Sequence, residues 1–204
     1  MKIAGIDEAG RGPVIGPMVI AGIALKEDEI LRINELNVKD SKKISPKKRE
    51  KLFEEILKIA KYHIEIIDAE TIDRERKYRS LNDIEIDSMA RIIEKLKPNI
   101  VQIGSPDINS KRFIDKLTMR VGKIQILSIH NAEDVFPMVA AASIVAKVTR
   151  DRIIAKLREE YGDFGSGYPS DPKTRLFIMN SIKRKEIPNI IRRSWKTFTK
   201  LNLI

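Results

Sequence analysis

The order of its apolar segments is the feature that most constrains how this chain can fold. The strand-like segments cover residues 2–7, 14–25, 61–69, 99–103 and 123–129. The first helical segment begins at Pro46, behind a Ser45 N-cap. Further helical segments cover residues 80–98, 109–122 and 132–162 (as one helix or two), and the last begins at Pro172. Strands therefore dominate early and later alternate with helices. This order predicts an α/β fold, in which helices cover a mixed sheet whose later strands are parallel.

The ends of three predicted strands carry acidic residues. Asp7 and Glu8 close the first strand, residues 104–107 follow the fourth, and residues 130–134 follow the fifth. Ligands of such sheets bind beyond the carboxyl ends of the parallel strands. We therefore expect these three segments, which are distant in sequence, to meet at one edge of the sheet.

The stretch GIDEAGRGP, residues 5–13, suggests what this edge binds. Asp7 and Glu8 alternate on a regular strand, so they can share a site only where the strand ends or bulges. Gly10 and Gly12 allow a turn whose main chain can approach a phosphate or sugar. Oxygen ligands on a rigid strand end suit Mg²⁺ or Mn²⁺. The alternative, an acidic surface turn, leaves the glycines and the apolar residues before them unexplained.

The composition favours a polyanionic partner and a location inside the cell. The net charge is +10, from 39 basic and 29 acidic residues, and Lys and Arg bind nucleic acid by releasing its counterions. A merely soluble basic protein is the alternative. Cysteine is absent, and neither a signal segment nor a run of eighteen apolar residues is evident, so we expect a soluble, cytoplasmic protein.

Several longer motifs give the chain a family resemblance. In order, they are GIDEAGRGPVIGPMVIAG, KDSKKISPKKREKL, SLNDIE, AAASIVAKVTRD and GSGYPSDPKT. With this spacing the chain resembles archaeal ribonuclease HII, a type 2 ribonuclease H, from Met1 to about Thr197. The resemblance implies a ribonuclease H-like fold with a central five-stranded sheet and a small C-terminal helical region. It also implies an endonuclease that cuts the RNA strand of RNA–DNA hybrids and single ribonucleotides in duplex DNA. Such enzymes use two divalent ions, Mg²⁺ or Mn²⁺, held by four acids, and leave 3′-hydroxyl and 5′-phosphate ends.

The resemblance also implies roles for particular residues. Asp7 and Glu8 match the first two acids, and Tyr168 matches a tyrosine that stacks on the sugar after the ribonucleotide. The main chain of a Gly-Arg-Gly loop senses the ribose 2′-hydroxyl. The other residues expected at the substrate are this loop and a mainly basic set: Gly10, Arg11, Gly12, Lys42, Lys43, Ser143, Lys147 and Arg150. For Lys42 and Lys43, a solvated charge run is an equal alternative.

Two of the four acids depart from the family pattern. Gly104 stands where the third acid, an aspartate, is expected, and Glu133 matches the fourth, with Asp134 beside it as the alternative. A glutamate keeps the charge, whereas a glycine removes a metal ligand. Three explanations stay open: an inactivated variant, replacement of the ligand by Asp107, or a protein that binds hybrids without cutting them.

The expected organisation is one catalytic domain, residues 1–204, of which residues from about 165 to 204 form a helical substrate-binding extension. We expect a monomer whose partners are RNA–DNA hybrid and ribonucleotide-containing duplex. We recognise no sliding-clamp peptide and therefore assign no protein partner. Trp195, among basic residues, is expected to dock the C-terminal segment onto the core.

Overall fold

The computed structural model describes residues 1–38, 44–105 and 109–203, and the chain groups into two units. The first unit comprises residues 1–9, 19–65 and 82–148, and the second comprises residues 10–18, 66–81 and 149–204. The expected C-terminal extension lies wholly in the second unit. A single catalytic domain over the whole chain stays a prediction.

Five strands form one mixed sheet, as the sequence predicted. They are β1 (Lys2–Ala9), β2 (Met18–Lys26), β3 (Lys61–Ile67), β4 (Ile100–Gly104) and β5 (Gln125–Ile129). Their order is β3-β2-β1-β4-β5. β1 is antiparallel to β2 and parallel to β4, and β4 is parallel to β5. The carboxyl ends of β1, β4 and β5 therefore lie at one edge of the sheet.

The helices of the described chain are α1 (Leu31–Glu35), α2 (Pro46–Ile59), α3 (Ala69–Glu75), α4 (Leu81–Leu96), α5 (Ser110–Val121), α6 (Ala132–Val135), α7 (Pro137–Tyr161), α8 (Pro172–Arg184) and α9 (Lys196–Leu201). The predicted start of α2 is confirmed, because Ser45 accepts a hydrogen bond from the Lys48 amide. The segment that follows β5 forms two abutting helices. Phe136, between them, is extended, as expected for the residue before a proline.

Helices cover both faces of the sheet in the first unit, and two glycines allow their close approach. A Cβ on Gly5 of β1 would lie 2.2 Å from the main-chain carbon of Met138 in α7. A Cβ on Gly22 of β2 would lie 2.2 Å from the Ile92 side chain in α4. Gly22 pairs with Ile6, which points to the face opposite Gly5. The two helices therefore pack on opposite faces.

The sequence placed the start of the second strand four residues too early. The predicted strand began at Val14, but β2 begins at Met18. Val14 and Ile15 instead donate their amides to the Gly167 carbonyl in the second unit. Pro17, which lacks an amide hydrogen, separates this segment from the strand.

The second unit has an apolar core of its own. Buried residues from the turn after β1 (residues 10–17), from helices α7, α8 and α9 and from the segments between these helices form this core: Val14, Ile15, Ile154, Phe164, Ile178, Ile190, Ile191, Phe198 and Leu201. Trp195 packs against it, which confirms the expected docking of the C-terminal segment. Across the described residues, no helix combines the length and apolar character that a membrane span requires.

Candidate active site

Asp7 lies near the carboxyl end of β1, on the face that α7 covers. Gly5 and Asp7 are two residues apart on the strand, so their side-chain positions share a face. The Ser143 hydroxyl, on α7, hydrogen-bonds the Asp7 carboxylate. The close packing that Gly5 allows thus brings a polar residue of the helix onto the first acid of the predicted site.

Gly104 stands directly beside Asp7. The parallel register pairs Ile6 with Ile103, so the next residues of the two strands are neighbours. A Cβ built on Gly104 would lie 3.5 Å from Asp7 Oδ1, an ordinary contact distance. An aspartate at position 104 would therefore bring a second carboxylate against Asp7, and the glycine leaves that place without one.

The surroundings of Asp7 oppose its negative charge. Although part of the residue is accessible to solvent, burial raises the pKa of the Asp7 carboxyl well above its ordinary value, and the charges of Glu8 and Glu133 raise it further. Hydrogen bonds from Ser143 and from the Glu8 main chain act in the opposite direction. A cation bound here would relieve the repulsion between these acids.

The segment after β5 brings Glu133 rather than Asp134 into the electrostatic surroundings of Asp7. Asn131 adopts a left-handed conformation, φ 52°, and α6 follows directly. Glu133 is half-buried, whereas Asp134 and His130 are exposed. The charges of Glu8 and Glu133 therefore both act on Asp7.

These acids suit a divalent cation by their chemistry, but they form an incomplete set. Carboxylate oxygens are the ligands that Mg²⁺ and Mn²⁺ take in proteins. In the part of the chain that the structure describes, no three acidic or histidine side chains are gathered closely enough to hold a metal ion. Asp7 and Glu8 follow Ile6, the last residue of β1 that pairs with β4, although β1 stays paired with β2 as far as Ala9. The ladder to β4 therefore ends just before the two acids, without a bulge on the β2 side. A site shared by Asp7 and Glu8 stays a prediction, and the Glu8 charge that acts on Asp7 supports it.

The turn after β1 belongs to the second unit, where buried Arg150 supports it. Gly10 has φ 87°, and a Cβ there would lie 2.1 Å from Arg150 Nε. Any other residue would therefore be opposed both by the backbone conformation and by overlap with Arg150. Arg150 Nε donates to the Pro17 carbonyl at 3.0 Å and Nη2 donates to the Ile15 carbonyl at 3.2 Å. Burial lowers the pKa of the Arg150 guanidinium.

The loop between α7 and α8, residues 162–171, is called the Tyr168 loop and lies against the same turn. Its fold rests on Thr174, whose hydroxyl accepts from the Gly167 amide at 2.9 Å and donates to the Phe164 carbonyl at 2.8 Å. Tyr168 is 47% exposed. A Cβ on Gly12 would lie 3.5 Å from Tyr168 Cε1. Within the second unit, the structure therefore brings together an exposed aromatic ring and the Gly-Arg-Gly turn.

Comparison with known proteins identifies the family. The family model described as ribonuclease HII matches residues 4–198. The chain belongs to the ribonuclease HII family. The ribonuclease HII of Thermococcus kodakarensis is 46% identical over 98% of this chain and 90% of its own length.

Solved structures agree with this assignment. The ribonuclease H2 of Pyrococcus horikoshii superposes with a TM-score of 0.93 at 39% identity, over 100% of this chain and 98% of that one. The ribonuclease HII of Archaeoglobus fulgidus, solved in complex with PCNA, gives a TM-score of 0.89 at 43% identity over 96% of each chain. The resemblance found in the sequence and its ribonuclease H-like fold are confirmed, and the chain is a ribonuclease H by family.

The remaining predicted residues of this ribonuclease HII site differ in their surroundings. Lys147 is exposed on α7, as a phosphate contact requires, whereas Arg150 is buried with two of its nitrogens bonded to carbonyls. The phosphate contact expected of Arg150 stays a prediction, and the structure gives it a supporting role that the sequence did not indicate. Lys42, Lys43 and Asp107 lie outside the described residues.

The sequence did not indicate that two residues of the C-terminal segment bond this turn. The Arg192 side chain, wholly buried, donates to carbonyls of the turn after β1, and Trp195 Nε1 donates to the Gly12 carbonyl at 3.1 Å. Arg192 appeared in the sequence only as part of a basic C-terminal run. The available signal was its position directly after the apolar pair Ile190 and Ile191.

Proposed function

We propose that this chain is an endonuclease that hydrolyses the RNA strand of RNA–DNA hybrids and single ribonucleotides embedded in duplex DNA. Its products would carry 3′-hydroxyl and 5′-phosphate ends. Family membership supports the reaction class, and a net charge of +10 supports a polyanionic duplex as the substrate. The observation that carries the proposal is the Asp7 carboxyl near the carboxyl end of β1, whose pKa is raised by burial and by the charges of Glu8 and Glu133.

Asp7, Glu8 and Glu133 would hold Mg²⁺ or Mn²⁺. Bound in pairs, such ions activate a water molecule and stabilise the leaving oxygen of a phosphodiester. The Ser143 hydroxyl orients the Asp7 carboxylate through its hydrogen bond. Glu133 is favoured over Asp134 as the fourth acid because its charge acts on Asp7.

Substrate recognition is proposed to rest on the turn after β1 and on the Tyr168 loop. The main chain of Gly10, Arg11 and Gly12 would bind the ribose 2′-hydroxyl, which distinguishes RNA from DNA. The exposed Tyr168 ring would stack on the sugar after the ribonucleotide. Phosphate contacts are assigned to the basic residues that the family resemblance indicated, namely Lys42, Lys43, Lys147 and Arg150.

Gly104 is expected to weaken cleavage. It removes one carboxylate from a site that depends on several, and a lost ligand or a misplaced metal commonly lowers a rate by about 10²-fold or more. Restoring an aspartate is sterically allowed, because the Cβ at this position would be in ordinary contact with Asp7. The proposal therefore makes Gly104→Asp a gain-of-activity substitution.

A cleavage assay tests this proposal. A fluorescent DNA duplex containing one ribonucleotide is incubated with Mg²⁺ or Mn²⁺ and either the natural chain or Gly104→Asp. An all-DNA duplex of the same sequence controls for other nucleases, and Gly104→Asp combined with Asp7→Asn controls for contaminating activity. We expect a single cut at the ribonucleotide, faster with Gly104→Asp. Failure of both proteins to cut would reject the endonuclease.

The missing side chain at position 104 also favours a second candidate, a protein that binds RNA–DNA hybrids without cutting them. The same assay separates the two functions. The binder predicts tight retention of the hybrid in a gel-shift experiment and no cleavage by either protein. For either function we propose a monomer acting in the cytoplasm on nucleic acid.

A further inference from the structure

Arg192 is bonded to three carbonyls of the turn that follows β1. Its Nη2 donates to the Gly10 carbonyl at 2.7 Å, Nη1 to the Arg11 carbonyl at 3.2 Å, and Nε to the Gly16 carbonyl at 2.9 Å. The side chain has no exposed surface. A guanidinium offers five donors in a rigid plane, and here three of its nitrogens fix both ends of one short turn.

Trp195 bonds one further carbonyl of the same turn. Its indole Nε1 donates to the Gly12 carbonyl at 3.1 Å, and the Arg192 guanidinium lies 4.8 Å from the centre of its ring. The carbonyls of Gly10, Arg11 and Gly12 are thus all held by two neighbouring residues of the C-terminal segment. The position of Arg192 is itself fixed, because its amide donates to the Val14 carbonyl at 2.8 Å.

Holding these carbonyls also sets the direction of the amides. In a planar trans peptide the C=O and N–H bonds point in opposite directions. The peptide that contributes the Gly10 carbonyl carries the Arg11 N–H, and the peptide that contributes the Arg11 carbonyl carries the Gly12 N–H. Both N–H groups therefore point away from the buried Arg192. Successive amides turned outward in this way form a surface that binds oxygen atoms.

We propose that Arg192 is a positioning residue for ribose recognition: by fixing the Gly10 and Arg11 carbonyls, it aims the amides of Arg11 and Gly12 at the 2′-hydroxyl. This inference rests on the proposed function, which assigns that hydroxyl to the Gly-Arg-Gly turn. Arg192 touches no substrate in this scheme. Its contribution is to hold the two amides in the orientation that binding requires. Binding of the ribonucleotide then loses no conformational entropy in ordering the turn.

The test is a binding experiment that needs no cleavage. Two fluorescent duplexes differ only in one 2′-hydroxyl, and their Kd values are measured in EDTA for the natural chain and for Arg192→Lys and Arg192→Gln. The quantity of interest is the ratio of the two Kd values. A lysine retains the charge but has one nitrogen and cannot bond three separated carbonyls. The matched control is Arg193→Gln, which removes the same charge from an exposed neighbour whose guanidinium bonds only the Ile187 carbonyl among the contacts described.

We expect Arg192→Lys to lower the preference for the ribonucleotide by about two- to tenfold, which is the factor that one weakened hydrogen bond accounts for. Affinity for the all-DNA duplex should stay unchanged, and Arg193→Gln should change both Kd values alike. A merely structural role would lower both affinities together. A preference in Arg192→Lys equal to that of the natural chain would overturn the proposal.

Two further observations distinguish a failure of the proposed function from a failure of the role assigned to Arg192. If the natural chain itself shows no preference for the ribonucleotide, the proposed function fails rather than the role of Arg192. NMR order parameters of the Arg11 and Gly12 amides then test the positioning directly. Lower order parameters in folded Arg192→Lys support it, and unchanged order parameters contradict it. If Arg192→Gln does not fold, Arg192→Lys alone decides, with circular dichroism to verify its fold.

Discussion

The Gly104→Asp substitution tests whether position 104 completes the acid site around Asp7. The test measures protein stability and needs no assay of activity. The new Cβ would lie 3.5 Å from Asp7 Oδ1, so the two carboxylates would stand about 4 Å apart, a separation worth about 4 kcal/mol for like charges at an effective dielectric constant of 20. Protonation of one carboxyl limits this penalty. We therefore expect a loss of about 2–4 kcal/mol in the free energy of unfolding at pH 8 without metal.

Thermal unfolding measures this loss. For a chain of this length, each kcal/mol corresponds to about 2–4 °C in Tm, so Gly104→Asp should unfold about 4–16 °C below the natural chain in EDTA. Mn²⁺ or Mg²⁺ should raise the Tm of Gly104→Asp more than that of the natural chain, because a cation that binds only the folded state stabilises it in proportion to its affinity. The control is Gly104→Asn, which has the same shape without the charge and should show neither effect. Equal metal-induced shifts in Gly104→Asp and the natural chain would refute the reasoning.

Two other substitutions test single features of the structure. Because the raised pKa of Asp7 lies above its unfolded value, the folded state holds the extra proton, so stability falls as pH rises from about 4 through the folded pKa. Asp7→Asn should therefore raise the metal-free Tm above that range of pH and not below it, and a difference in Tm that does not vary with pH would contradict this account. Gly10→Ala should destabilise by about 2 kcal/mol or more in urea unfolding, since φ is 87° and the new Cβ would overlap Arg150. Gly12→Ala, whose Cβ would only touch Tyr168 at 3.5 Å, should be nearly neutral, and equal losses at the two positions would argue against the close approach to Arg150.

The sheet and the main helices were predictable because local signals agreed with the tertiary fold. Ser45 and Pro46 marked the start of α2, and Gly122, with φ 77°, marked the end of α5. Both signals act within a few residues along the chain. The carboxyl ends of the parallel strands then followed from the order of the elements alone, which is why Asp7 and Gly104 were expected at one edge.

The second unit was less predictable because its contacts are distant in sequence. Val14 and Ile15 have the apolar character of strand residues, but their amides bond Gly167. Arg150 and Arg192 carry charged side chains of the kind usually found at the surface. Each is nevertheless buried, and its guanidinium donates hydrogen bonds to carbonyls of the turn after β1. A charged side chain is buried only where partners are supplied, and a single sequence does not indicate which distant carbonyls supply them.

The central claim, that Asp7, Glu8 and Glu133 hold the divalent cations of a nuclease, is tested most directly by anomalous diffraction from crystals soaked in Mn²⁺. The account predicts an Mn²⁺ peak in contact with the Asp7 carboxylate, stronger in Gly104→Asp and absent in Asp7→Asn. An enzyme that cuts at a ribonucleotide in Mn²⁺ while its crystals show no Mn²⁺ at Asp7 would contradict it.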